Sequence, residues 1–121
     1  MDIVIKQNSD EPIYSQIYSQ IVSQILNKSL QSGSRLPTIR NIANELRISV
    51  IPVKMAWEAL DRDGYIFTVP GRGTFVAELE HAKIEDKKLQ EARTLAEQTC
   101  KKAKELGVSK EDFLELIKEL F

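Results

Sequence analysis

The stretch "TIRNIANELRISVIPVKMAWEAL", residues 38–60, contains two short helical patterns separated by only a few residues. In the first, apolar residues recur three and four positions apart from Ile39 to Leu46, and Thr38 before them predicts an N-cap. The same spacing returns in residues 53–60. Two amphipathic helices joined by a tight turn are typical of a helix-turn-helix.

The N-terminal third of the chain predicts a strand followed by a long helix. Residues 2–6 are a short β-prone run. Asp10 is the predicted cap of a helix with Pro12 near its start and Gly33 at its end. This helix repeats Ser-Gln-Ile three times at a four-residue interval, which is helical patterning. Its tyrosines Tyr14 and Tyr18 are predicted to lie in the core, as is Trp57.

The residues after the second helical pattern predict a β-hairpin. Gly64 ends the helix, and two β-prone runs at residues 65–69 and 74–78 flank the sequence "PGRG". Three helices followed by a hairpin form a mainly α-helical winged helix-turn-helix. In that fold the second helix of the pair enters the major groove of DNA and the hairpin tip lies along the backbone or minor groove. Taken alone, the tip could also be a flexible turn with one exposed arginine, Arg72.

The last third of the chain predicts an αα-hairpin, so we divide the sequence into residues 1–78 and a two-helix tail, residues 79–121. An apolar stripe runs through the first tail helix, Gly107 breaks it, and Ser109 begins the capping box "SKED" of the second. A helix of about a dozen residues is marginal alone. A second copy of the chain in a C2 dimer is therefore expected, although the tail folding back on its own winged helix is an alternative. The expected interface residues are Leu89, Ala92, Leu95, Ala96, Cys100, Phe113, Leu116, Ile117 and Leu120.

Composition and charge limit the function. The chain of 121 residues has one cysteine and one histidine, Cys100 and His81, which excludes a disulfide framework and predicts no metal site and no cofactor. His81 is expected at the surface or at a junction. No long apolar run and no signal peptide are present, so no membrane contact and a cytoplasmic location are expected. No nucleophile–base pair or paired-carboxylate arrangement indicates an enzyme. Net charge is −1, but residues 35–54 carry four basic residues against one acid.

Four motifs in order, "PIYSQIYSQI", "SRLPTIRNIANEL", "MAWEALDRDGYI" and "GRGTFVA", resemble the DNA-binding domain of the GntR family of bacterial transcription regulators. The resemblance covers roughly residues 10–78, and the short tail is similar to that of the YtrA subfamily. It implies a sequence-specific DNA-binding regulator, expected to be a repressor that binds an inverted-repeat operator as a homodimer. A small-molecule effector is possible but none is identified. The alternative is a winged-helix module that binds protein instead of DNA.

The resemblance also assigns residues to the DNA interface. Arg40 matches the arginine of the family's "LPS-x-R" motif, and Thr38 stands where serine is commoner. Ser49 opens the recognition helix, and Lys54 matches a basic residue that follows its first turn. The residues expected to contact double-stranded DNA are Arg35, Thr38, Arg40, Ser49, Val50, Ile51, Lys54, Gly71, Arg72 and Gly73.

Three departures from the family pattern bear on the recognition helix. Arg47 stands where many members have glycine, so it is predicted to adopt a positive φ at a cost of about 1 kcal/mol. "SVIPV" replaces the common "SRxTV", and Met55 stands where a basic residue is frequent. Proline is tolerated in a first helical turn, so the helix is predicted to begin between Ser49 and Pro52. Its apolar start either contacts thymine methyl groups or packs on a neighbouring helix.

Overall fold

The computed structural model describes all 121 residues. Five helices and two strands follow one another in the order α1 Ile13–Leu26, α2 Ile39–Leu46, α3 Val50–Arg62, β1 Ile66–Val69, β2 Gly73–Val76, α4 His81–Glu105 and α5 Lys110–Leu120. They divide into two compact units, Met1–Glu80 and His81–Phe121. The first unit is mainly helical with a two-stranded antiparallel hairpin, as expected of a winged helix-turn-helix.

The β-prone run at residues 2–6 is extended, but its predicted strand is wrong because the run pairs with no other strand. Side-chain amides of α1 bond to its backbone instead, in antiparallel order: Gln24 to Asp2, Gln20 to Val4 and Gln16 to Lys6. Four helical residues advance about 6.0 Å, and two extended residues advance about 6.6–6.8 Å. The four-residue glutamine repeat therefore matches every second residue of the extended run.

Both predicted ends of α1 need correction. Pro12, not Asp10, occupies the N-cap position, and no side chain caps this end. The helix ends at Leu26, seven residues before Gly33, because Lys28 turns the chain with a positive φ of 66°. Tyr14 is exposed at the surface instead of buried in the core. Tyr18 is half-buried, with its hydroxyl donating to Asp63 Oδ2 at 2.7 Å.

The core of the first unit lies where α1 and α2 pack against α3. Its fully buried members come from all three helices and the hairpin, including Ile17, Ile21, Ile42, Val53, Leu60, Tyr65 and Val76. Trp57 is buried, as predicted. Because one side of α3 is buried in this way, its opposite side faces solvent.

Arg47 confirms the predicted left-handed backbone between α2 and α3, with φ 57° and ψ 47°. Its N–H donates to the carbonyl of Asn44 at 3.2 Å, and the N–H of Ile48 donates to the carbonyl of Ala43 at 3.0 Å. This pair of bonds is the Schellman ending, in which the left-handed residue is commonly glycine. A side chain with a Cβ is strained there.

Replacing Arg47 by glycine is expected to raise the free energy of unfolding by about 1 kcal/mol, because glycine adopts this φ without the Cβ clash. Urea denaturation of the two proteins measures the difference. Arg47→Ala is the matched control, since it removes the same charge but keeps the Cβ. A gain of equal size in both variants would show that the guanidinium, and not the backbone, is responsible.

The second unit consists of two helices joined by a turn. α4 begins at His81, eight residues before the predicted apolar stripe, and ends at Glu105. Ser109 caps α5 as predicted, its hydroxyl accepting from the N–H of Asp112 at 3.1 Å. Of the apolar tail side chains, only Ala103 is buried.

Candidate nucleic-acid interface

The N-terminus of α3 presents an exposed apolar surface. The helix begins at Val50, directly after Ser49, which agrees with the predicted range. Val50 is 46% and Ile51 66% exposed, so the alternative in which they pack on a neighbouring helix is not what the fold shows. Met55 is exposed one turn after Ile51, and Lys54 is exposed one turn after Val50. Residues four apart share a helix face, so two rows of exposed side chains face outward.

A hollow of about 310 Å³ lies beside this helix, between the start of α2 and β2. The structure brings four of the predicted contact residues together in its lining: Arg35, Thr38, Arg40 and Gly73. Trp57 and Thr74 also line the hollow and were missed, Trp57 because its spacing indicated only a core residue. Thr38 caps α2 by accepting from the N–H of Asn41 at 3.1 Å. The hollow is therefore formed at a helix N-terminus bordered by arginines.

The segment before α2 is fixed to the hairpin by backbone hydrogen bonds. Leu36 N–H donates to the carbonyl of Thr74 at 2.8 Å, and Val76 N–H donates to that of Ser34 at 2.9 Å. Arg35 lies between them and reaches across Gly73: a Cβ built on Gly73 would stand 2.7 Å from Arg35 Nε. Because Gly73 has no side chain, the guanidinium of Arg35 can lie beside the hollow.

Replacing Gly73 by alanine is expected to displace Arg35 from the hollow, because the new Cβ would overlap its guanidinium. We expect a loss of DNA affinity together with a loss of stability of about 1–2 kcal/mol from the positive φ. Gly64→Ala is the matched control: Gly64 also has a positive φ, 82°, but open space where a Cβ would stand, and it is not among the expected DNA contacts. Equal loss of affinity in the two variants, measured by fluorescence anisotropy, would contradict the role assigned to Arg35.

The hairpin tip holds the remaining predicted residues. Val69 pairs with Gly73, so the loop has three residues, and Arg72 N–H bonds to the carbonyl of Val69 at 2.9 Å. Pro70 and Gly71 suit the second and third positions of such a turn, because proline fixes φ near −65° and glycine accepts a positive φ. Arg72 is exposed beyond them.

The interface cations form no ion pairs within the chain. Salt bridges pair Arg62, Lys88, Arg93 and Lys118 with acidic side chains, and the last three lie in the tail. None involves Arg35, Arg40, Lys54 or Arg72. These four charges are therefore available to an external anion.

The sequence profile of the gntR family of bacterial regulatory proteins matches residues 13–76, which include every residue of this interface. The chain belongs to the GntR family. It is 35% identical over 111 residues to the uncharacterized HTH-type transcriptional regulator YhcF of Bacillus subtilis, with 91% of this chain and 90% of that protein covered.

Two further GntR comparisons show similarity over nearly the whole chain, including the tail. The HTH-type transcriptional repressor YtrA of Bacillus subtilis is 31% identical over 118 residues, with 98% of this chain and 91% of that protein covered. A crystal structure of a transcriptional antiterminator from Listeria monocytogenes matches with a TM-score of 0.78 at 33% identity, covering 99% of this chain and 90% of that chain. The likeness to YtrA confirms that the chain is a YtrA-like GntR regulator.

Two further properties of this GntR regulator concern metals and membranes. No group of three or more His, Cys, Asp or Glu side chains is placed to hold a metal ion. Neither α4 nor any other helix combines the length and apolarity required to cross a membrane.

Proposed function

We propose that this GntR regulator binds an inverted-repeat operator in double-stranded DNA as a homodimer and represses transcription by occluding a promoter. One observation carries the proposal: the unpaired cations Arg35 and Arg40 border a hollow beside the exposed face of α3. The assignment makes the protein a DNA-binding regulator of the cytoplasm and not an enzyme.

The dimensions of α3 suit the major groove. A helix with its side chains is about 10–12 Å across, and the groove is about 12 Å wide. With the start of α3 in the groove, Arg40 and Lys54 are the cations for flanking phosphates. Arg72 at the hairpin tip is the cation for the backbone or a narrow minor groove, where negative potential is enhanced.

Val50 and Ile51 are proposed to contact thymine methyl groups. Their exposed side chains have no hydrogen-bonding group, and the thymine methyl is the apolar feature of the major groove. Replacing both by alanine should change base preference at a few operator positions. The wild-type protein should bind more weakly to an operator in which deoxyuridine replaces thymidine at those positions, because uracil lacks only the methyl group.

The tail is proposed to form the dimer. Along α4 and α5 the expected interface side chains remain accessible within one chain, with Leu89, Leu95 and Leu120 each at least 65% exposed. Apolar surface of this kind, repeated at helical spacing, is stabilised by burial against an identical surface. A C2 dimer would set two recognition helices on half-sites about 34 Å apart, or at a related spacing.

Repression is proposed because YtrA, similar over nearly its whole length, is named a transcriptional repressor. The alternative raised by the apolar start of α3, a winged-helix module that binds protein and not DNA, has no support among the relatives, which are transcription regulators. Only the repressor would bind duplex DNA, so a DNA-binding experiment distinguishes the two functions.

Selection of bound sequences from a pool of random duplex DNA tests the proposal. A repressor of the proposed kind should enrich an inverted repeat, which reports reading and dimerisation together. Enrichment of a single unrepeated site would contradict the dimer. No enrichment at low salt would contradict DNA binding itself and favour the protein-binding module.

A further inference from the structure

Three helices begin after a hydroxyl-bearing residue whose backbone has nearly the same geometry. The φ and ψ angles are −67° and 156° at Thr38, −70° and 162° at Ser49, and −71° and 155° at Ser109. Thr38 and Ser109 each accept a hydrogen bond at 3.1 Å from the N–H three residues later. The Ser49 side chain makes no such bond. Backbone geometry therefore does not explain the difference.

Proline explains it. The residue three positions after Ser49 is Pro52, which has no N–H to donate. Any residue other than proline at position 52 would carry an N–H that could bond the serine. Ser49 directly precedes α3 and is exposed, so its hydroxyl makes no cap bond and is accessible to solvent.

We propose that Pro52 is a positioning residue for DNA binding: by removing the cap donor, it leaves the Ser49 hydroxyl free to turn outward and donate to a DNA phosphate at the start of α3. The inference rests on the proposed function. Phosphates are favoured at helix N-termini by the free N–H groups and the helix dipole, here those of Val50 and Ile51. A cap bond, in which the hydroxyl oxygen accepts, would hold the serine side chain in the rotamer directed at the helix backbone and so away from a phosphate outside the helix.

A double-mutant cycle with Ser49→Ala and Pro52→Ala tests the inference. In the wild type, Ser49→Ala should leave the unfolding equilibrium constant unchanged and lower DNA affinity about fivefold. In the Pro52→Ala background, where the N–H is restored, Ser49→Ala should raise the unfolding constant about fivefold, which corresponds to a cap of about 1 kcal/mol. There it should change DNA affinity by less than about twofold. Thr38→Ala, which removes an existing cap, is the stability control.

The outcomes separate the inference from the function beneath it. Wild-type binding to duplex DNA with no coupling between positions 49 and 52 would overturn the inference and leave the function standing. A change of base preference on Ser49→Ala would also overturn it, since a phosphate contact strengthens binding to all sequences alike. Failure of the wild type to bind any duplex would overturn both.

Discussion

Replacing Ile117 by aspartate is expected to convert the regulator to a monomer and to weaken binding to an inverted-repeat duplex at least about a hundredfold. Ile117 is 42% exposed within one chain, so the substitution does not disturb a core. In the proposed dimer it would bury a carboxylate in an apolar interface without a partner, which costs several kcal/mol. Loss of the second half-site removes the effective-concentration gain of about 10²–10⁴ that linked sites provide.

Sedimentation velocity and DNA titration of the same samples measure the two effects. Lys118→Asp is the matched control: it places an aspartate next in sequence, on the polar side of α5, and removes only an exposed salt bridge to Glu115 at 3.7 Å. Such pairs contribute little, so the control should stay dimeric. If the wild type is already a monomer at micromolar concentration, the tail has another role.

The second large effect is expected from Arg40→Ala combined with Arg72→Ala, which should lower duplex affinity at least about a hundredfold. Hydrogen bonds to charged groups contribute about 1.5–3 kcal/mol each, and a dimer makes each of them twice. Both arginines are exposed and free of ion pairs. Their removal should therefore not reduce stability.

The slope of the salt dependence gives the second readout of this variant. Removing one phosphate-binding cation is expected to reduce the slope by about 1. The two substitutions in each of the two subunits should therefore reduce it by about 4. Arg93→Ala combined with Lys118→Ala is the matched control, because it removes the same number of charges from exposed tail cations, which pair with Glu97 at 3.1 Å and Glu115 at 3.7 Å. Its affinity and slope should equal those of the wild type. Equal losses of affinity in the two variants would show that the effect follows from net charge alone.

Periodicity predicted those features that depend on local spacing. The bounds of α2 follow from apolar residues three and four apart after a hydroxyl cap, and the start of α3 falls within the range predicted from Pro52. These features need only neighbouring residues, so the sequence contains them directly. The positive φ of Arg47 was instead predicted from the resemblance to the family.

Features set by contacts distant in sequence could not be predicted in this way. The three glutamines of α1 show only helical spacing, and their bonds to residues 2–6 appear once the extended run lies along the helix. The same holds for Arg35, whose place against Gly73 depends on pairing between the segment before α2 and β2. The start of α4 at His81 was missed because its first turns are polar and carry no apolar stripe.

The salt dependence of affinity for a duplex that contains the selected operator shows whether Arg35, Arg40, Lys54 and Arg72 bind DNA phosphates. Neutralising phosphates with lysine and arginine releases counterions, so the logarithm of affinity falls linearly with the logarithm of salt. The four free cations of each subunit, doubled in a dimer, predict a slope of about −7 from the roughly −0.9 per phosphate of double-stranded DNA. A slope near zero, or no binding at low salt, would show that these cations do not bind DNA phosphates.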